Sequence, residues 1–103
     1  MFDVSRIRAD FPILAREVNG KQLVYLDNGA SSQKPEVVID AVTRAYKDEY
    51  ANVHRGLHYL SNLATEKYES VRGVVSKFLN ASDENEIILN SGTTEGINMV
   101  AYG

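Results

Sequence analysis

Two short apolar runs limit what this chain can fold into: Leu23-Val24-Tyr25-Leu26 and Glu86-Ile87-Ile88-Leu89 are its two strong strand candidates. Helical patterning fills the space between them. Pro35 suits the first position of a helix, and Val38, Ala41, Val42, Ala45 and Tyr46 continue that helix at three/four spacing. A second long helix is expected to start near Ser61 or Asn62, either of which can cap it. Its apolar face is Tyr68, Val71, Val75, Phe78 and Leu79, with Glu66, Lys67 and Glu69 mostly facing water. A short helix over Val4 to Ala9, stopped ahead of Phe11-Pro12, and another from about Thr93 complete the set. Asn19-Gly20 reads as a turn, and Asn52 to Ser61 and Asn80 to Asn85 as loops. Strands separated by helices indicate an α/β protein with crossover connections. The second run is too apolar for a sheet edge, and a strand covered on both faces needs neighbours on both flanks. More sheet is therefore expected than these residues supply. The chain reads as the front of a larger protein, or as a piece that needs a partner.

Composition removes several function classes. A length of 103 residues suits one small domain, and 44% hydrophobic content argues against disorder. Eleven Lys and Arg against fourteen Asp and Glu give a net charge of -3, so no basic field favours nucleic acid. The absence of cysteine excludes disulfides, cysteine-ligated metals and thiol chemistry supplied by these residues. Met1-Phe2-Asp3-Val4-Ser5-Arg6 contains no signal-peptide run, and no apolar stretch reaches membrane-spanning length. A cytoplasmic chain with no membrane partner is expected.

The most chemically suggestive stretch is Ile87-Ile88-Leu89-Asn90-Ser91-Gly92-Thr93-Thr94-Glu95-Gly96-Ile97-Asn98. An apolar run passing through Gly-Thr-Thr into a helix aims backbone N–H groups, two hydroxyls and a positive dipole end at one spot. That spot suits an anion such as phosphate. An equally simple reading makes one Thr only a helix cap and the Gly a turn. No P-loop lysine is present, and the glycine spacing is not that of a dinucleotide fold. His54-Arg55-Gly56 with His58 lacks a matching carboxylate or cysteine set for a metal. Its Arg can clamp a carboxylate, or the loop can simply be tied down by Arg and His hydrogen bonds. Asp27-Asn28-Gly29-Ala30-Ser31 follows a strand end, where α/β proteins place ligand loops, yet these residues are also good turn formers. The tyrosines read as packing, and no nucleophile–base pair is offered.

Four motifs in order carry a family resemblance: Tyr25 to Pro35, Ala51 to His58, Ala64-Thr65, and Gly92 to Asn98. Together they resemble the N-terminal quarter of a cysteine desulfurase of the Suf type (the selenocysteine-lyase-like group) within the class V aminotransferases. The resemblance implies the N-terminal portion of a fold-type I pyridoxal-phosphate-dependent transferase. On that basis residues 1–22 are an N-terminal arm and residues 23–103 the start of the cofactor-binding domain. It further implies a homodimer using pyridoxal 5'-phosphate to take sulfur from L-cysteine. The products are L-alanine and an enzyme persulfide, passed to a sulfur-acceptor protein of the Suf system for iron–sulfur cluster assembly.

Gly92, Thr93 and Thr94 match the family's phosphate-seat positions. Gly29 and Ala30 match a stretch bordering the substrate pocket, and His54 and Arg55 match a loop near the active site and dimer interface. The family's Schiff-base lysine, its pyridine-pairing aspartate, its ring-stacking histidine and its sulfur-attacking cysteine have no counterpart in these residues. No catalytic residue is transferred, and the isolated chain is expected to be inactive. Ser91 departs from an arginine often found before the Gly-Thr-Thr turn. A selenocysteine lyase, another class V enzyme, or a truncated interaction piece without catalysis remain the alternatives.

Overall fold

The computed structural model describes residues 2–103 and divides into two compact units, with the break between Glu49 and Tyr50. In the first unit, α1 (Val4–Ala9) starts where the Asp3 carboxylate accepts from the Arg6 amide at 3.1 Å. It ends before extended Phe11, and Pro12–Ala15 follows as a 3-10 turn, as the Phe-Pro step predicts. Asn19 and Gly20 both take positive φ, 54° and 72°, the twist that a two-residue hairpin needs. They join β1 (Glu17–Val18) to β2 (Lys21–Gln22) in an antiparallel pair, Glu17 opposite Gln22 and Val18 opposite Lys21. The turn was legible; the strands beside it were not, because they are short, largely polar and exposed. The Arg8 guanidinium donates to the carbonyls of Leu14 (2.9 Å) and Leu23 (3.0 Å), tying α1 to the chain on both sides of the hairpin. Pro35 sits one place ahead of α2 (Glu36–Arg44) as its cap residue, and a π-helical turn, Ala45–Glu49, extends that helix.

In the second unit, α3 (Tyr59–Leu79) is the long helix, α4 (Thr93–Tyr102) the last. The expected start of α3 at Ser61 or Asn62 is corrected. His58 is the cap, its imidazole accepting from the Ser61 amide at 3.4 Å, and Ser61 lies inside the first turn. At the other end Asn80 adopts φ 57°, and the Ala81 amide returns to the Ser76 carbonyl at 2.9 Å.

Both expected strands are also corrected. Leu23 makes one ladder-like bond, its amide to the Arg16 carbonyl at 2.9 Å, and among the described residues no ladder continues along residues 24–26. Ile87 is extended, at φ -96° and ψ 115°, but no ladder forms along residues 87–90. The cause is the absence of partners: among the described residues the β1–β2 pair is the whole sheet, and an extended run becomes a strand only when another backbone takes its N–H and C=O groups. Leu26 is 89% exposed and Ile88 62% exposed. No hydrophobic residue among those described is buried; Ser61 and Ser76 are.

Candidate functional site

The turn into α4 is built around Gly92. Its φ of 144° with ψ 177° is a conformation open essentially to glycine alone. The Gly92 amide donates to Asn90 Oδ1 at 2.9 Å, and its carbonyl receives the first helical bond, from the Gly96 amide at 3.1 Å. No side chain caps this helix. Thr93 and Thr94 are its first two residues, so neither is the cap that the simpler reading assigned. Their hydroxyls have no partner among the described residues. The first-turn N–H groups, which no helix can satisfy internally, point outward from the same end.

Glu95 is a participant that the sequence reading overlooked. Its carboxylate reaches back to accept from the Ser91 amide at 2.7 Å and also from the Ser91 hydroxyl. This is the logic of a capping box, displaced by one residue. Ser91 is thus the anchor for the acid three places inside the helix. The Ser91 hydroxyl, and then its amide, hold the Glu95 carboxyl below the usual glutamate range. A depressed folded-state pKa adds stability that is present above the unfolded pKa and lost as pH falls through the folded one. Acid titration is therefore expected to leave the Ser91 amide resonance still until below the ordinary glutamate range, then move it. A midpoint at or above that range, followed by NMR, would refute the clip.

The His54 loop is held by one polar face of α3. The Ser61 hydroxyl donates to the Asn52 carbonyl at 2.6 Å and accepts from the Gly56 amide at 3.0 Å. One turn on, Thr65 Oγ1 accepts from the His54 amide at 3.0 Å and donates to the Ser61 carbonyl at 2.8 Å. A further turn on, Glu69 Oε1 meets His54 Nε2 at 2.9 Å, so Glu69 does not simply face water as its helical position suggested. His54 stands at φ 64°, edge-on to Tyr68. Arg55 is exposed, and its guanidinium has no partner among the described residues. The view that Arg and His together tie the loop down is half right: His54 does, Arg55 does not.

In the first unit, Gly29 and Ala30 lie in an exposed turn closed by the Ala30 and Ser31 amides on the Asp27 carbonyl, both at 3.1 Å. The Tyr25 hydroxyl is within reach of the Asp27 (3.2 Å) and Ser31 carbonyls. Nothing lies within 4 Å of where a Gly29 Cβ would sit, so no steric demand for glycine arises there. Within the second unit, no hydrogen bond or ion pair joins the His54 loop to the Gly92 turn among the described residues. Nor does any cluster of three or more His, Cys, Asp or Glu among them suit a metal ion.

Residues 24–103 match the family model for class-V aminotransferases. The chain belongs to that family. It is 56% identical over 101 residues to the cysteine desulfurase of Escherichia coli K12, covering 98% of this chain and 25% of that protein. A cysteine desulfurase of Escherichia fergusonii is 57% identical over 100 residues, again covering 25% of its length. The apo structure of a cysteine desulfurase from Thermococcus onnurineus NA1 superposes with a TM-score of 0.81 at 38% identity, over 98% of this chain and 24% of that one. The chain thus spans about a quarter of the length of the curated relatives it matches. Its fold is the N-terminal portion of a fold-type I α/β transferase, with the two-residue strands of the hairpin the only paired ones among the described residues. No helix among those residues is long and apolar enough to cross a membrane.

Proposed function

We propose that this chain is the N-terminal segment of a Suf-type cysteine desulfurase. In this reading the whole enzyme is a cytoplasmic homodimer that removes sulfur from L-cysteine with pyridoxal 5'-phosphate. L-alanine is left, and an enzyme persulfide feeds iron–sulfur cluster assembly through a Suf acceptor protein. Residues 1–22 serve as an arm and residues 23–103 begin the cofactor-binding domain. A selenocysteine lyase would share every motif in this segment.

The observation that carries the proposal is the uncapped first turn of α4. Gly92, with no Cβ and a glycine-only backbone, lets a ligand approach, and Thr93 and Thr94 offer hydroxyls beside the first-turn amides. That donor set fits a phosphate monoester: it is rich in N–H and O–H donors, and the Glu95 carboxylate beside it is engaged by Ser91. When bound, the cofactor supplies an electron sink for breaking bonds at the amino-acid substrate. Gly92, Thr93 and Thr94 would hold it by its phosphate end, and His54 and Arg55 of the same unit are offered to the substrate; Gly29 and Ala30, in the first unit, are offered to the substrate on the family motif alone. Arg55 is suited to a substrate carboxylate because its planar donors are uncommitted. The sulfur-accepting cysteine is not among these residues, since the chain has none.

The direct test uses the purified 103-residue chain with pyridoxal phosphate and L-cysteine. No alanine above the protein-free control is expected. Turnover would show that the covalent machinery lies within these residues and would overturn this division of labour.

A further inference from the structure

We infer that Glu69 is a positioning residue for His54, holding the neutral imidazole as its Nε2–H tautomer and leaving Nδ1 as the ring's acceptor. The inference stands on the geometry of the second unit and does not rest on the cofactor reading. An ionised carboxylate can only accept, so the ring nitrogen 2.9 Å from Glu69 Oε1 must carry the proton. Nδ1 has no protein partner among the described residues, and the His54 side chain is 52% exposed.

Three further restraints come from the same face of α3. Thr65 pins the His54 amide at 3.0 Å, which keeps the backbone at φ 64°. Tyr68 stands edge-on to the ring, with centroids 6.0 Å apart and planes at 88°. Arg72 lies 3.5 Å from the other Glu69 oxygen and keeps the carboxylate aimed. An exposed pair of this kind adds little to stability. What it sets is orientation and tautomer, and those decide whether His54 gives or takes a hydrogen bond. A neutral His54 held this way accepts from a ligand N–H, O–H or S–H and cannot donate through Nδ1.

The test is long-range proton–nitrogen correlation NMR of the whole protein labelled with 15N-histidine, recorded well above the ordinary histidine pKa, with His54 identified through H54N. His54 should show a protonated Nε2 and a bare Nδ1. E69A should lower the Nε2–H to Nδ1–H ratio several-fold, whereas E69Q, whose amide oxygen can still accept, should keep it. A wild-type spectrum dominated by the Nδ1–H form would overturn the proposal whether or not E69A folds. So would a tautomer ratio unchanged in folded E69A. Neither result bears on phosphate binding at Gly92, so the two readings fail separately.

Discussion

Replacing Gly56 with alanine is expected to detach the His54 loop from α3, the largest local effect of any single methyl group in this segment. A Cβ at that position would lie 2.5 Å from Ser61 Cβ and 2.6 Å from Ser61 Oγ, well inside contact distance. Ser61 cannot yield. It is fully buried, and its hydroxyl is already committed to the Asn52 carbonyl and the Gly56 amide. Overpacking of this sort costs about 1–3 kcal/mol. Moving the loop to relieve it forfeits the Gly56–Ser61 bond, roughly another 1 kcal/mol. Exchange protection of the hydrogen-bonded His54 and Gly56 amides in the whole protein should therefore fall by about 30-fold or more, at 1.4 kcal/mol per factor of ten. Protection unchanged within a few-fold would refute this account. The clash predicts its own remedy: S61G removes the two closest atoms and leaves His58 Nε2, a side-chain end at 3.0 Å, as the nearest, so G56A/S61G should be less damaged than the two single changes summed. S61A leaves the Cβ in place and should not rescue.

This loop also shows how far the sequence could be read. His54, Arg55, Gly56 and Ser61 all stood out as residues, but Ser61 was given the wrong task. A serine at the expected start of a helix is most simply a cap, and local sequence cannot reveal that a histidine three places earlier has taken that role. Nor can it show that Ser61, Thr65 and Glu69, four apart on α3, present a polar ladder to a loop that precedes them. That arrangement depends on the loop folding back, a tertiary fact.

The helices were legible because an amphipathic period and punctuation by Pro, Gly and Asn are local signals. The strands were legible only as apolar runs. Whether Leu23 to Leu26 or Glu86 to Leu89 is a strand depends on a neighbouring backbone, and among the described residues neither run has a ladder partner beyond the single Leu23–Arg16 bond. The Gly92 turn lies between these cases. Its reading as a ligand seat came from motif order, while its uncapped state came from the structure.

If the start of α4 seats the cofactor phosphate as proposed, Thr93 and Thr94 should account for a large share of that grip. Each hydroxyl can give one hydrogen bond to a charged oxygen, and such bonds contribute about 1.5–3 kcal/mol. Replacing one threonine with alanine is thus expected to weaken cofactor binding by roughly 10- to 150-fold. The backbone donors and the helix dipole, about 0.3–2 kcal/mol, remain in both single variants. The double variant T93A/T94A should therefore bind far more weakly than either, yet still better than a form in which the turn itself is broken. G92A supplies that form, because φ 144° strains any residue with a Cβ, although open space surrounds the position. Cofactor affinity of the whole enzyme, titrated by absorbance or fluorescence, measures the series. Inorganic phosphate should compete with the cofactor in the wild type and lose most of that competition in T93A/T94A. If the double variant retained wild-type cofactor affinity, the uncapped start of α4 would be an ordinary helix end, and the phosphate would have to be held elsewhere.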